Sequence, residues 1–141
     1  MTTGNGVIQR KLALLDKQVA RLSDIASRIT WAEFETDEVI QAATERTLQV
    51  AAQIVIDIAE RLIALNAAGP VATAADALTR IAELGLIASA DRYIPIIRFR
   101  KLIVHEYDEI DPRIVYRALS TGIDDLKAFR DELDDANAFG T

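Results

Sequence analysis

The only histidine of the chain, His105, lies in the run Arg98-Phe99-Arg100-Lys101-Leu102-Ile103-Val104-His105-Glu106-Tyr107. A neutral imidazole takes a proton from a hydroxyl, and an imidazolium returns one to a leaving oxygen, both near neutral pH. A guanidinium holds a phosphate through paired hydrogen bonds and stabilises charge as it grows. Arginines beside one histidine therefore suit metal-free cleavage of RNA. A lone histidine between apolar residues suits a structural role equally well, and a basic run reads equally as a solvated face. Chemistry by itself leaves both open.

Helical spacing sorts the candidates. At about 100° per residue, Arg98 and His105 fall about 20° apart, with Lys101 about 40° from His105. Arg100 falls about 20° from Tyr107 but about 140° from His105. An ideal helix thus pairs Arg98 with His105 and Arg100 with Tyr107. A second set, Arg46, Gln53 and Asp57, shares one face of an upstream helix. It reads either as a solvent-facing stripe or as a polar seam facing the helix of His105, where Asp57 orients a basic residue or the imidazole. Trp31, Tyr93 and Tyr116 read as packing residues rather than base-stacking ones.

These residues need a scaffold, and composition bounds it. The 141 residues fit one domain with a core of about 7–135. Half are hydrophobic but only 6% are aromatic, which favours helices over a β-sandwich. The absence of cysteine excludes disulfides, and one histidine without cysteine argues against a zinc site, so neither metal nor cofactor is expected. The formal net charge of −6 opposes nucleic-acid binding when taken as a sum. Its distribution differs: Arg92 to His105 holds four basic residues and no acid, while acids gather at Glu106–Asp111 and Asp124–Asp135. No leader is apparent and no apolar run suffices to span a bilayer, so a cytoplasmic location without membrane partners is expected.

Apolar periodicity predicts five helices in an antiparallel up-and-down bundle. The first, over about 7–29, carries Ile8, Leu12, Leu15, Val19, Leu22, Ala26 and Ile29 on one seam. A loop over 30–36 is expected to be anchored by Trp31 and Phe34. The second helix starts after Thr36 or Asp37 and runs to about Asn66. It is apolar on more than one face and therefore central, and Gly69-Pro70 is its stop signal. Thr73 caps a short third helix that ends at Leu84-Gly85-Leu86. The fourth runs from near Ser89 to His105, with Pro95 either bending it or marking its first turn. Asp111-Pro112 opens the fifth, whose apolar face is Ile114, Val115, Leu119, Ile123, Leu126, Phe129 and Leu133.

Arg100, four intervening residues, His105, one residue and Tyr107 resemble the signature of the HepT toxins, a HEPN-domain ribonuclease family. Glu45–Val50, Asp57–Ala59 and Glu83–Ile87 are similar to other segments of that family, so the likeness covers about residues 8–130. The family usually has Asn after the motif arginine, where this chain has Lys101. The resemblance implies a HEPN-like helical fold and a metal-independent endoribonuclease acting as the toxin of a toxin–antitoxin pair. It implies Arg100 on the phosphate, His105 as acid or base, and Arg98 in reserve with Lys101. It also implies a homodimer, an RNA substrate, and a partner antitoxin of the MntA type, a minimal nucleotidyltransferase that transfers AMP to Tyr107. The alternative reading is a non-catalytic dimeric helical module that binds a nucleotidyltransferase or a nucleotide.

Overall fold

The structure, a computed structural model, describes residues 4–105 and 110–136, without the side chains of residues 4, 5 and 103–105. Six α-helices follow in order: α1 (Gly4–Arg28), α2 (Trp31–Thr36), α3 (Glu38–Leu65), α4 (Ala74–Glu83), α5 (Ile94–His105) and α6 (Pro112–Asp135). There is no strand among the described residues.

Helix α3 is the axis of the fold, and α1, α2, α4, α5 and α6 all pack on it. Its sequence dictates this role. Ala51, Ala52, Val55, Ile56, Ile58, Ala59, Leu62 and Ile63 wrap around the helix, and all are buried. No single neighbour can cover so wide an apolar surface. Burying each large side chain contributes about 1.5–3 kcal/mol relative to leaving it exposed. Thr44 and Thr47 enter the same interior because their hydroxyls donate to the carbonyls of Ile40 at 2.8 Å and Ala43 at 2.7 Å.

The seam of α1 forms as expected from Ile8 to Leu22, all buried, whereas Ala26 is exposed and Ile25 packs in its stead. Paired side chains fix the helix directions. Lys11 reaches Asp57 and Arg130 reaches Asp16, while Trp31, just past α1, meets Tyr116 near the start of α6. Helix α1 is therefore antiparallel to both α3 and α6, and α3 and α6 run parallel. Gly122 is what lets α6 approach α3, since a Cβ there would stand 3.2 Å from Leu48 Cδ2. Of the expected α6 face, Ile114 is 42% exposed, while Val115, Leu119, Leu126, Phe129 and Leu133 are buried.

The local signals explain most helix ends. Asp37 caps α3 by accepting from Ile40 N, Thr73 caps α4 by accepting from Asp76 N, and Asp111 caps α6 with Pro112 inside the first turn. The expected loop at 30–36 is instead α2. Thr30 and Glu33 exchange reciprocal side-chain-to-backbone hydrogen bonds, a capping box that nucleates a helix too short to show a period. Gly85 ends α4 in the left-handed region at φ 79°, and Leu86 N–H returns to Ile81 O at 3.0 Å. The end of α3 uses the same turn, with Ala68 N–H on Ile63 O at 3.0 Å. There the left-handed residue is Ala67 at φ 51°, not the Gly69 that the sequence offers as the stop. A left-handed alanine costs about 1–2 kcal/mol, partly offset in glycine by its greater unfolded-state freedom. Ala67→Gly is therefore expected to stabilise the protein by about 0.5–1 kcal/mol, read as a higher Tm and a raised denaturant midpoint with unchanged slope.

Candidate functional site

The basic helix of the sequence analysis is α5, and the way it is mounted explains its position. It begins at Ile94 rather than near Ser89, so Pro95 lies in the first turn, where its missing N–H breaks no helical bond. Ahead of it, Tyr93 is fully buried, with its ring edge-on to Phe129 at 5.2 Å. Its hydroxyl donates to Glu132 of α6. The other Glu132 oxygen accepts from Ala88 N–H at 2.8 Å, and Arg92 reaches Asp125 at 3.2 Å. The start of α5 is thereby tied to α6 at two points, while its body packs on α3 and α4.

Helix α5 is continuous from Ile94 to His105, so its backbone keeps the register in which Arg98 and His105 are two turns apart. Arg98 and Lys101 are exposed and Arg100 is half-buried. The Arg100 Nε is buried and has no hydrogen-bond partner among the described residues. The Nε of Arg61 on α3 is in the same condition, so this feature is not peculiar to the motif. His105 is the last residue of α5; its side chain, and Tyr107 altogether, lie outside the described residues. Between α5 and α6 runs a small, mostly apolar groove of about 40 Å³, floored by Leu48 and walled by Pro95, Ile96, Phe99, Gly122 and Leu126, with Thr121 and Asp125 on its rim.

The upstream set does not join this site. Asp57 accepts from Gln53 Nε2 at 2.8 Å and pairs with Lys11 of α1 at 3.5 Å. Among the described residues its carboxylate thus serves the α1–α3 seam, and the His105 side chain that it was alternatively expected to orient lies outside them. Arg46 is exposed and its Nη1 donates to Gln49 Oε1 at 3.4 Å. The physical reason is that helix α3 is covered on several sides, so a shared face in sequence does not say which neighbour meets it. Among the described residues no three His, Cys, Asp or Glu side chains stand together in a way that would hold a metal ion.

Sequence reasoning missed Glu132, which anchors the start of α5 from 39 residues away. The available signal was the spacing of Asp125 and Glu132, seven residues apart and so on one side of α6. Burial, then the hydrogen bond to Glu132, raise the Tyr93 hydroxyl well above its ordinary value of 10.0. The folded protein holds that proton more tightly than the unfolded chain does. Its contribution is therefore complete below pH 10 and falls as pH rises above it, by up to about 1.4 kcal/mol per pH unit. Thermal melts from pH 9 to 11 are expected to show this decline. Tyr93→Phe is expected to lose about 1–2 kcal/mol at pH 7 and to flatten the alkaline slope.

Comparison with known proteins bears on what such a site belongs to. The family model for Ribonuclease HepT-like proteins matches residues 15–133. A tRNA nuclease HepT from Aphanizomenon flos-aquae is 28% identical over 116 residues, 81% of this chain and 78% of that protein. An mRNA nuclease HepT from Shewanella oneidensis is 24% identical over 129 residues, 90% of this chain and 96% of that protein. Among solved structures, the tri-AMPylated HEPN toxin of Shewanella oneidensis, in complex with MNT antitoxin, superposes with a TM-score of 0.82. It is 23% identical and the match covers 96% of this chain and 99% of that one. A cytosolic protein from Bacillus subtilis superposes at 0.78 with 18% identity, over 92% of this chain and 87% of its own. These structural likenesses establish the all-helical fold. No helix among the described residues is long and apolar enough to cross a membrane. The family match takes in α2 to α5, the whole motif from Arg98 to Tyr107 and most of α6, and the chain belongs to the Ribonuclease HepT-like family.

Proposed function

We propose that the chain is the toxin of a toxin–antitoxin pair, a metal-independent endoribonuclease whose motif is Arg100, His105 and Tyr107. The observation that carries the reading is the family match over residues 15–133, which takes in Arg100 and His105 on the continuous helix α5. The names of the relatives, a tRNA nuclease and an mRNA nuclease, support RNA as substrate.

In this mechanism the ribose 2′-hydroxyl is the nucleophile. His105 takes its proton as the O2′–P bond forms, Arg100 binds the phosphate oxygens as their charge grows, and the P–O5′ bond breaks. The departing 5′-oxygen takes a proton from a second imidazole. The chain has one histidine, so a homodimer supplies the second from the partner copy. The products are a 2′,3′-cyclic phosphate and a free 5′-hydroxyl. Arg98 and Lys101, both exposed on α5, draw the RNA backbone to an otherwise acidic chain; Arg46 and Asp57 have no direct part.

Regulation follows from the same residues. An MntA-type nucleotidyltransferase attaches AMP to Tyr107: the phenolate oxygen bonds to the α-phosphorus of ATP and pyrophosphate leaves. The new phosphodiester charge sits two residues from His105 and occupies the cationic ground that RNA phosphate needs.

Purified, unmodified protein is expected to cleave RNA in the presence of a chelator. His105→Ala and Arg100→Ala are each expected to lower the rate by at least about a hundredfold with unchanged melting curves. Equal cleavage by parent and variants rejects the assignment, as does absence of cleavage from all three; the latter favours a non-catalytic module. Incubation with ATP and the cognate nucleotidyltransferase is expected to raise the mass by whole AMP units. Persistence of the full shift in Tyr107→Phe would count against Tyr107 as the acceptor.

A further inference from the structure

We infer that the open groove between α2 and the first turns of α6 is an RNA-holding subsite. A base stacks on Trp31, and the neighbouring phosphates rest on Arg113 and Arg117. The inference rests on the ribonuclease reading and adds a second contact region to it.

The groove is open to solvent and is lined by Trp31, Arg113, Tyr116, Arg117 and Ser120. Its aromatic wall is rigid. Trp31 is the first residue of α2, fixed by the Thr30–Glu33 capping box. Its ring lies 5.4 Å from Tyr116 and 6.4 Å from Phe34, and Tyr116 and Phe34 are 5.1 Å apart. Phe34 is fully buried, whereas Trp31 is only half so. Packing α2 onto α6 accounts for Phe34, but it leaves part of the indole facing the groove. There it meets two guanidiniums and a hydroxyl. Arg113, Tyr116, Arg117 and Ser120 recur at the i, i+3, i+4 and i+7 positions of α6, which makes one continuous stripe. A flat aromatic surface beside two cations is the arrangement that holds single-stranded nucleic acid, because every base has a face to stack and every link a phosphate.

The cations are available for this. Arg113 and Arg117 are exposed. Arg113 pairs with Asp111 at 3.3 Å with 71% of its side chain accessible, so water and salt screen the pair and a phosphate competes for it. The position also fits the proposed catalytic centre. Six residue steps separate His105 from Asp111. At no more than about 3.5 Å each, they keep the start of α6 within about 21 Å of the end of α5, a span that a short single strand bridges.

Trp31 is the only tryptophan in the chain, so its emission reports on this groove alone. The test uses the full-length His105→Ala protein, in which cleavage is blocked, titrated with a short single-stranded RNA of mixed sequence. Quenching of Trp31 that saturates with binding is expected. The added Arg113→Gln and Arg117→Gln pair is expected to weaken binding at least tenfold. It should also reduce the slope of log K against log salt by about 1.4, as for two phosphates on a single strand, with no change in Tm. RNA binding without a change in emission, and with equal affinity and slope in the arginine variant, overturns the inference. So does full quenching by AMP alone that RNA cannot displace, which would make the groove a free-nucleotide site. If the histidine-intact protein cleaves RNA while these tests fail, only the subsite is wrong. If no form of the protein binds or cleaves RNA, the ribonuclease reading falls with it.

Discussion

Everything in this molecule is arranged by the need to keep water off α3. Its apolar residues are spread over most of the helix circumference, and Val55, Ile58, Ala59 and Leu62 have no accessible surface left. An amphipathic helix with one stripe is satisfied by one neighbour; a helix apolar on several sides needs a ring of them. Helices α1, α4, α5 and α6 form that ring with α2 at one end. The chain that returns to close the ring therefore has to place the basic helix α5 against α3, whatever chemistry α5 then carries.

The mounting of α5 follows from that packing. Its apolar side, with Ile97 buried, belongs to the core, and its basic side chains are pushed toward the outside. The join before it is a tight one. Tyr93 is buried with its hydroxyl on Glu132, and that carboxylate also holds the Ala88 amide. A buried hydroxyl must find a partner, and a carboxylate serves two donors at once, so one acid secures both the loop after α4 and the start of α5.

Charge is the other organising feature. The chain is acidic overall, with a net charge of −6, and its sixteen cations are spread along it, but two groups of them stand close together. One group lies on α5 at Arg98, Arg100 and Lys101, and another on α6 at Arg113 and Arg117 beside the half-buried Trp31. Several cations are in local ion pairs, Lys11 with Asp57, Arg28 with Asp24, Arg92 with Asp125 and Arg130 with both Asp16 and Asp134, as Arg113 is with Asp111. On a chain of net negative charge, such groups are where a polyanion finds local positive charge.

The sequence by itself determined the helices and their ends. Apolar spacing marked α1, α3 and α6, and Asp37, Thr73, Asp111 and Pro112 marked where helices begin, because these signals act within one turn and need no distant partner. It also carried the motif, since the spacing of Arg100, His105 and Tyr107 resembles the signature of the family whose model matches the chain. Three local features escaped it: α2, too short to display a period; Ala67, whose left-handed turn no side chain advertises; and the start of α5, at Ile94 and not near Ser89. Tertiary structure decided the rest, namely which neighbour each helix face meets. It gave Asp57 to Lys11 of α1, joined Tyr93 to Glu132, and brought Trp31 beside Arg113 and Arg117. Periodicity fixes a direction around a helix axis, but only the packing of the whole chain on α3 decides what lies in that direction.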